Sequence, residues 1–186
     1  MSEARKILVL GASGLIGRFV TDDLRARGFA VIGVAQRFSS SQQASALDLV
    51  MPLLSMDAGS LARLIGDHCI DVVVNCLGVL QDAPGSDVSA VHCDFVARLL
   101  RAVCDSGRAI RLIHISIPGT VVDDRTAFSR TKREAERLIV ESGLAYAILR
   151  PGFVIAPSAY GGSALLRAGA VRAPVKSLAA IHSACR

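Results

Sequence analysis

Tryptophan is absent from the 186 residues, and tyrosine occurs only at Tyr146 and Tyr160. No apolar run approaches the ~18–20 residues of a membrane span, so none is expected. The residues before Lys6 lead into a short apolar run that breaks at Gly11, which does not make an export signal. The five cysteines (Cys69, Cys76, Cys93, Cys104 and Cys185) form no Cys-x-x-Cys pair, and their number is odd. That pattern argues against a disulfide framework and a zinc site, and for reduced thiols in the cytoplasm. The four histidines show no ligand spacing, so no metal is expected. Acidic residues are missing after Glu141, where Arg150, Arg167, Arg172, Lys176 and Arg186 stand unopposed. Up to Glu141 the charges balance, so the net charge of +5 is a thin spread over the tail. Without a dense basic cluster or interleaved aromatics it does not describe a nucleic-acid surface.

What is present is alternation. Apolar residues make up 52 % of the chain, enough for a full core in one domain. Lys6–Leu10 is a short apolar run of the kind found in a strand buried on both faces. Leu15, Ile16, Phe19, Val20 and Leu24 recur at helical spacing, and Gly28 supplies a stop. Ala30–Ala35 reads as a second strand and Gln36–Ser45 as a loop. A weak third strand is expected at Ser45–Leu47, a helix at Asp57–Gly66 and a fourth strand at Asp71–Leu77. After a loop at Pro84-Gly85, Val88, Val91, Phe95, Leu99 and Val103 line one face of a long helix that ends near Gly107. Ile110–Ser116 and Leu144–Leu149 are the last strands. Between them Ser129–Ser142 is a charged helix with i,i+4 pairs Arg130/Glu134, Lys132/Glu136 and Arg137/Glu141. The pattern predicts an α/β chain with a doubly wound, parallel Rossmann sheet. The expected division is a dinucleotide-binding domain over 1–157 and a short extension over 158–186.

The first strand runs straight into Gly11-Ala12-Ser13-Gly14-Leu15-Ile16-Gly17, and a helix follows at once. Gly11 allows a tight turn, Gly14 lets the backbone approach a pyrophosphate, and Gly17 lets the helix pack close to the strand. The pyrophosphate then meets the amides and positive dipole of the helix N-terminus. At the end of the second strand an NAD site usually carries an acid for the ribose hydroxyl. Here Gln36 and Arg37 stand in that place, and Arg37 suits a 2′-phosphate. Such a charge-assisted bond contributes ~1.5–3 kcal/mol. The expected cofactor is NADP in preference to NAD.

The Gly-x-x-Gly-x-x-Gly turn, Asn75–Gly78 after the fourth strand and His114–Ser116 after the fifth together resemble the short-chain dehydrogenase/reductase superfamily. Phe128–Lys132, Arg150–Gly152 and the segment Ala159–Arg167 narrow the likeness to the atypical, extended branch of NAD(P)-dependent epimerase/dehydratase-like, NmrA-like and complex I accessory subunit-like proteins. The resemblance implies cofactor contacts at Gly11, Ser13, Gly14, Leu15, Ile16, Gly17 and Arg37. It puts Asp48 and Leu49 by the adenine, with Asp57 as a competing candidate that could equally cap a helix. Cys76, Leu77 and Gly78 would line the ribose, unless Cys76 and Leu77 are plain core, and Pro151 would lie by the nicotinamide.

The catalytic set implied by the resemblance is Ser, Tyr and Lys. Ser116 and Lys132 match, but position 128 is Phe, and a phenyl ring cannot transfer a proton. Lys132 can still hold ribose hydroxyls, unless it is one more charge on a salt-bridged helix. Tyr146 and Tyr160 lack the spacing to substitute, although Tyr160 could approach from its glycine-rich loop. The chain stops within twenty residues of Arg167, where extended members continue, so the substrate-binding portion is expected to be largely missing, through truncation, frameshift or a short natural form. Two readings result: an NADP(H)-binding oxidoreductase or epimerase-like protein acting on an unidentified small molecule, or a non-catalytic NADP-binding sensor or assembly module with a protein partner. A homo-oligomer is compatible with either.

Overall fold

The computed structural model describes residues 5–39, 45–79, 87–152 and 154. Six strands form one parallel sheet: β1 (Lys6–Leu10), β2 (Ala30–Ala35), β3 (Leu49–Val50), β4 (Val72–Asn75), β5 (Arg111–Ile115) and β6 (Ala145–Leu149). Their order across the sheet is β3-β2-β1-β4-β5-β6. This is the doubly wound Rossmann order, with the reversal between β1 and β4, and ligands of such sheets bind outside the carboxyl ends at that crevice. Ile7 lies opposite Val31 on one side and Val72 on the other, so both neighbours run in step with β1.

The strand side chains split between two cores. Leu8, Leu10, Ile32, Val34, Val73 and Leu112 pack with Leu61, Phe95, Leu99 and Ile139 of α2 (Ala58–Asp67), α3 (Phe95–Asp105) and α4 (Ala127–Glu141). Ile7, Val9, Val31 and Val74 face the other way, toward Val20 and Leu24 of α1 (Leu15–Ala26). That is why β1 reads as continuously apolar.

Some elements differ from their sequence expectation, each for a local reason. The third strand is Leu49–Val50, because Ser45–Asp48 is closed into a turn by Asp48 N to Ser45 O (2.9 Å) and Ser45 N to the Asp48 carboxylate (2.7 Å). β4 ends at Asn75, short of Leu77. The long helix is helical from Val88, but Ala90–Asp94 winds as a π-helical turn before α3. α4 starts two residues early, because Thr126 and Ser129 form a reciprocal capping box. Of the expected pairs on α4 only Arg137–Glu141 forms; Glu134 also goes to Arg137, and Glu136 goes to Arg133 and Arg150. Tyr160 and the extension 158–186 lie outside the described residues.

Candidate functional site

The turn after β1 is built by sterics. Gly11 has φ +79°, a left-handed conformation that disfavours a side chain. A Cβ at Gly17 would stand 2.1 Å from the Gly11 carbonyl oxygen, so any side chain there would force α1 away from β1. Gly11 N and Ala12 N both donate to Val34 O, at 2.8 and 3.0 Å, stitching the turn to the end of β2. Gly14 is the exposed cap of α1, and no side chain caps the helix. The first amides of α1 therefore keep the unused donors of a helix start. Ser13, Leu15 and Ile16 are half-buried around it. Arg37, three residues beyond Val34, is exposed, and among the described residues it makes no ion pair.

Across the crevice the chain leaves β4. Cys76 N still donates to Leu10 O at 2.9 Å, and Leu77 N is held by the Asn75 side chain at 3.1 Å. Cys76 and Leu77 are half-buried, and a Cβ built on Gly11 would touch both. The two halves of the crevice are thus in contact. Lys132 comes in from α4 and is 4 % exposed. Its Nζ donates to Leu77 O at 3.2 Å and Ile115 O at 3.0 Å, bridging the ends of β4 and β5. Lys132 is therefore no member of a surface salt-bridge ladder. Burial pushes its ammonium down to about 8, with Cys76 and Glu136 opposing. Burial pushes the Cys76 thiol up to about 12, so it stays protonated.

Ser116 follows Ile115 and is buried. Its hydroxyl faces Glu136 but makes no hydrogen bond within 3.5 Å. Glu136 is itself buried, which alone would raise its pKa, yet the Arg150 and Arg133 guanidiniums hold it below the usual carboxylate range. Arg150 Nε and Nη2 grip both oxygens, at 2.9 and 2.7 Å, and so fix the chain just before Pro151. Arg133 adds bonds to Ile117 O (3.0 Å) and Pro118 O (2.6 Å), anchoring the loop that follows Ser116.

Phe128 lies one turn before Lys132, half-buried, with its ring edge-on to His92 at 5.4 Å. His92 sits in the π-helical turn. Its Nε2 accepts from Val79 N (3.2 Å), and its Nδ1 meets the Thr131 hydroxyl (2.9 Å). His92 and Lys132 close on Gly78 from two sides, at 3.5 and 3.4 Å from a Cβ built there. Deeper in, Asn75 bonds His114 Nδ1 at 3.2 Å. Burial, then the nearby ammonium, pushes both imidazoles down to about 3, so both are neutral at pH 7.

The structure thus gathers Ser116, Phe128, Lys132, Gly78 and the glycine turn at the carboxyl ends of β1, β4 and β5. Asp48 is not delivered as an open carboxylate: Arg25 of α1 bonds it at 2.6 Å, and Ser45 N takes its other oxygen. Leu49 beside it is half-buried in β3. Asp57 caps α2, accepting from Ser60 N at 2.6 Å. His92 has no counterpart in the sequence-derived site. Its position four residues after Val88 marks it as inward-facing, but nothing local reveals its partner at Val79. Among the described residues no group of His, Cys, Asp and Glu could hold a metal ion, and no helix is long and apolar enough to cross a membrane.

A parallel sheet in this order, with a glycine cradle at its reversal and a buried lysine across the crevice, has the form of a nicotinamide-dinucleotide fold. The chain belongs to the NAD dependent epimerase/dehydratase family, whose family model matches residues 7–168. It is 32 % identical over 165 residues to the chloroplastic divinyl chlorophyllide a 8-vinyl-reductase of Cucumis sativus, an alignment covering 78 % of this chain and 38 % of the plant enzyme. In structure it is similar to the Bordetella bronchiseptica enzyme WbmH in complex with NAD+ (TM-score 0.65, 17 % identity, 80 % of this chain and 56 % of that one). It is also similar to dTDP-4-dehydrorhamnose reductase of Bacillus anthracis in complex with NADP (TM-score 0.68, 12 % identity, 93 % and 62 %). The chain spans less than two thirds of each relative's length.

Proposed function

We propose that this chain binds NADP(H) at the β1–β4 crevice and is a poor catalyst of simple carbonyl reduction. The observation behind the binding reading is the Gly11/Gly17 packing, which brings the start of α1 against the end of β1 and leaves Gly14 exposed. In this reading Gly11, Ser13, Gly14, Leu15 and Ile16 hold the pyrophosphate. Arg37 meets the 2′-phosphate, Cys76, Leu77 and Gly78 line the ribose, and Pro151 borders the nicotinamide. The cofactor, when bound, supplies hydride chemistry. Lys132 keeps one N–H direction beyond its two carbonyl bonds, which suits a ribose hydroxyl. Asp48 and Leu49 border the adenine through shape, since the Asp48 carboxylate is engaged by Arg25. Calorimetry with NADPH and NADH tests the preference. NADPH binds more tightly, and Arg37→Asp reverses the order; equal affinities refute the role of Arg37.

A second reading has one observation in its favour. Lys132, brought down to about 8 by burial, lies in the range of a general acid at neutral pH. If it donates the proton that Phe128 cannot, the wild-type protein reduces a small carbonyl compound, and kcat falls as pH rises through about 8, where the ammonium is lost.

A further inference from the structure

The opposite end of the sheet holds a cavity of about 740 Å³. It opens at the amino ends of β1, β4, β5 and β6, a full strand length, ~15 Å, from the glycine turn. Arg5, Lys6, Arg108 and Arg111 line it, with Asp71 the one acid among the lining residues. Asp71 is already engaged: Lys6 N donates to Oδ2 at 2.9 Å and Arg108 to Oδ1 at 3.2 Å. Arg108 is held in place by Ile70 O at 3.0 Å and Cys69 O at 3.3 Å. Arg108 and Asp71 therefore answer each other. Among the described residues Arg5, Lys6 and Arg111 have no ion pair, and Arg5 and Arg111 are exposed.

We propose that this cavity binds a small phosphate-bearing molecule. Three cations without a carboxylate partner around one concavity focus a positive field that scattered surface charges do not. Two of them are arginines, whose planar forks match phosphate oxygens. The charge suits a dianion or trianion. The size falls in the ~300–1,000 Å³ range of small-molecule sites. Val72 and Leu144 give the wall an apolar part against which an organic body can rest. The site draws on residues from both ends of the described chain, and it is independent of the dinucleotide reading.

The test is calorimetry on the full chain, with and without added NADPH, using glucose 6-phosphate and inorganic pyrophosphate as probes and glucose as the neutral control. At least one phosphate probe binds saturably, weakens with added salt, and loses at least tenfold in affinity in the double variant R5Q/R111Q. Neither substitution removes an ion pair seen in the structure, and circular dichroism checks the fold. The Arg37→Gln variant, altered at the other end of the sheet, binds the probes as the wild type does. The site is refuted if neither probe binds, if glucose binds equally well, or if R5Q/R111Q binds as tightly as wild type. It is also refuted if Arg37→Gln abolishes the binding, since the probe would then lie at the cofactor turn.

Discussion

At the scale of single residues, position 128 carries the proposed loss of catalysis. Phe128 occupies the turn of α4 that precedes Lys132, and its ring leans on His92. A hydroxyl in that place would lie one turn before Lys132 on the same face of α4. Phe128→Tyr is expected to leave NADPH affinity within about twofold and to raise turnover of simple carbonyl substrates toward the ~10²–10⁴-fold that acid–base catalysis contributes. Steady-state assays of the wild-type and variant proteins at pH 7 measure it. If wild-type activity is already high and declines above pH 8, Lys132 is the donor and Phe128 only packs. Lysine suits position 132 where arginine would not: its stem passes through the core, and its compact head reaches two carbonyls at once.

At the scale of elements, the glycine turn shows how few atoms hold the crevice in shape. Gly17→Ala places a methyl group 2.1 Å from a backbone oxygen, so α1 must withdraw from β1. We expect a loss of at least ~2 kcal/mol in denaturant unfolding, with NADPH binding lost in parallel. Thr126→Ala, which removes the capping box of α4, is expected to cost about 1 kcal/mol with a smaller effect on binding, because Lys132 lies more than a turn inside the helix. These elements were legible in the sequence because their signals are local: apolar runs, a glycine spacing, a helix stop. β3 was not, because two residues carry no periodicity, and the Ser45–Asp48 turn that precedes it is also held by Arg25 of a distant helix. The π-helical turn left no trace in spacing either. Ser116, Phe128 and Lys132 could be placed in one site from the motif, whereas the work of His92, Glu136 and Arg150 depends on pairings across 13 or 14 residues that no local pattern encodes.

At the scale of the whole molecule, the buried imidazoles couple folding to acid. His92 and His114 titrate near 3 in the folded chain against an ordinary value of 6.5. Between those pH values the unfolded chain binds protons that the folded chain refuses, so stability falls as pH drops below about 6.5. Each group contributes a slope of up to ~1.4 kcal/mol per pH unit. Urea unfolding between pH 4 and 7 is expected to show this decline, and His114→Gln to make it shallower. A stability flat with pH over that window would mean that the imidazoles take up protons without unfolding. Lys132 acts at the other end of the scale. Its depressed value means that burial disfavours folding below about pH 8, and that this cost is relieved as pH rises from 8 toward 10.5.

The chain has eighteen arginines but only three lysines, Lys6, Lys132 and Lys176. To a reagent that attacks neutral amines it is therefore almost blank, and one of its few targets is sealed between β4, β5 and α4. Lys132 is 4 % exposed and its Nζ is tied to two backbone carbonyls, so a reagent meets the amine only by entering the crevice where the dinucleotide is proposed to sit. The rate of labelling at this single residue is then a clock for opening of the crevice, and anything seated there slows it.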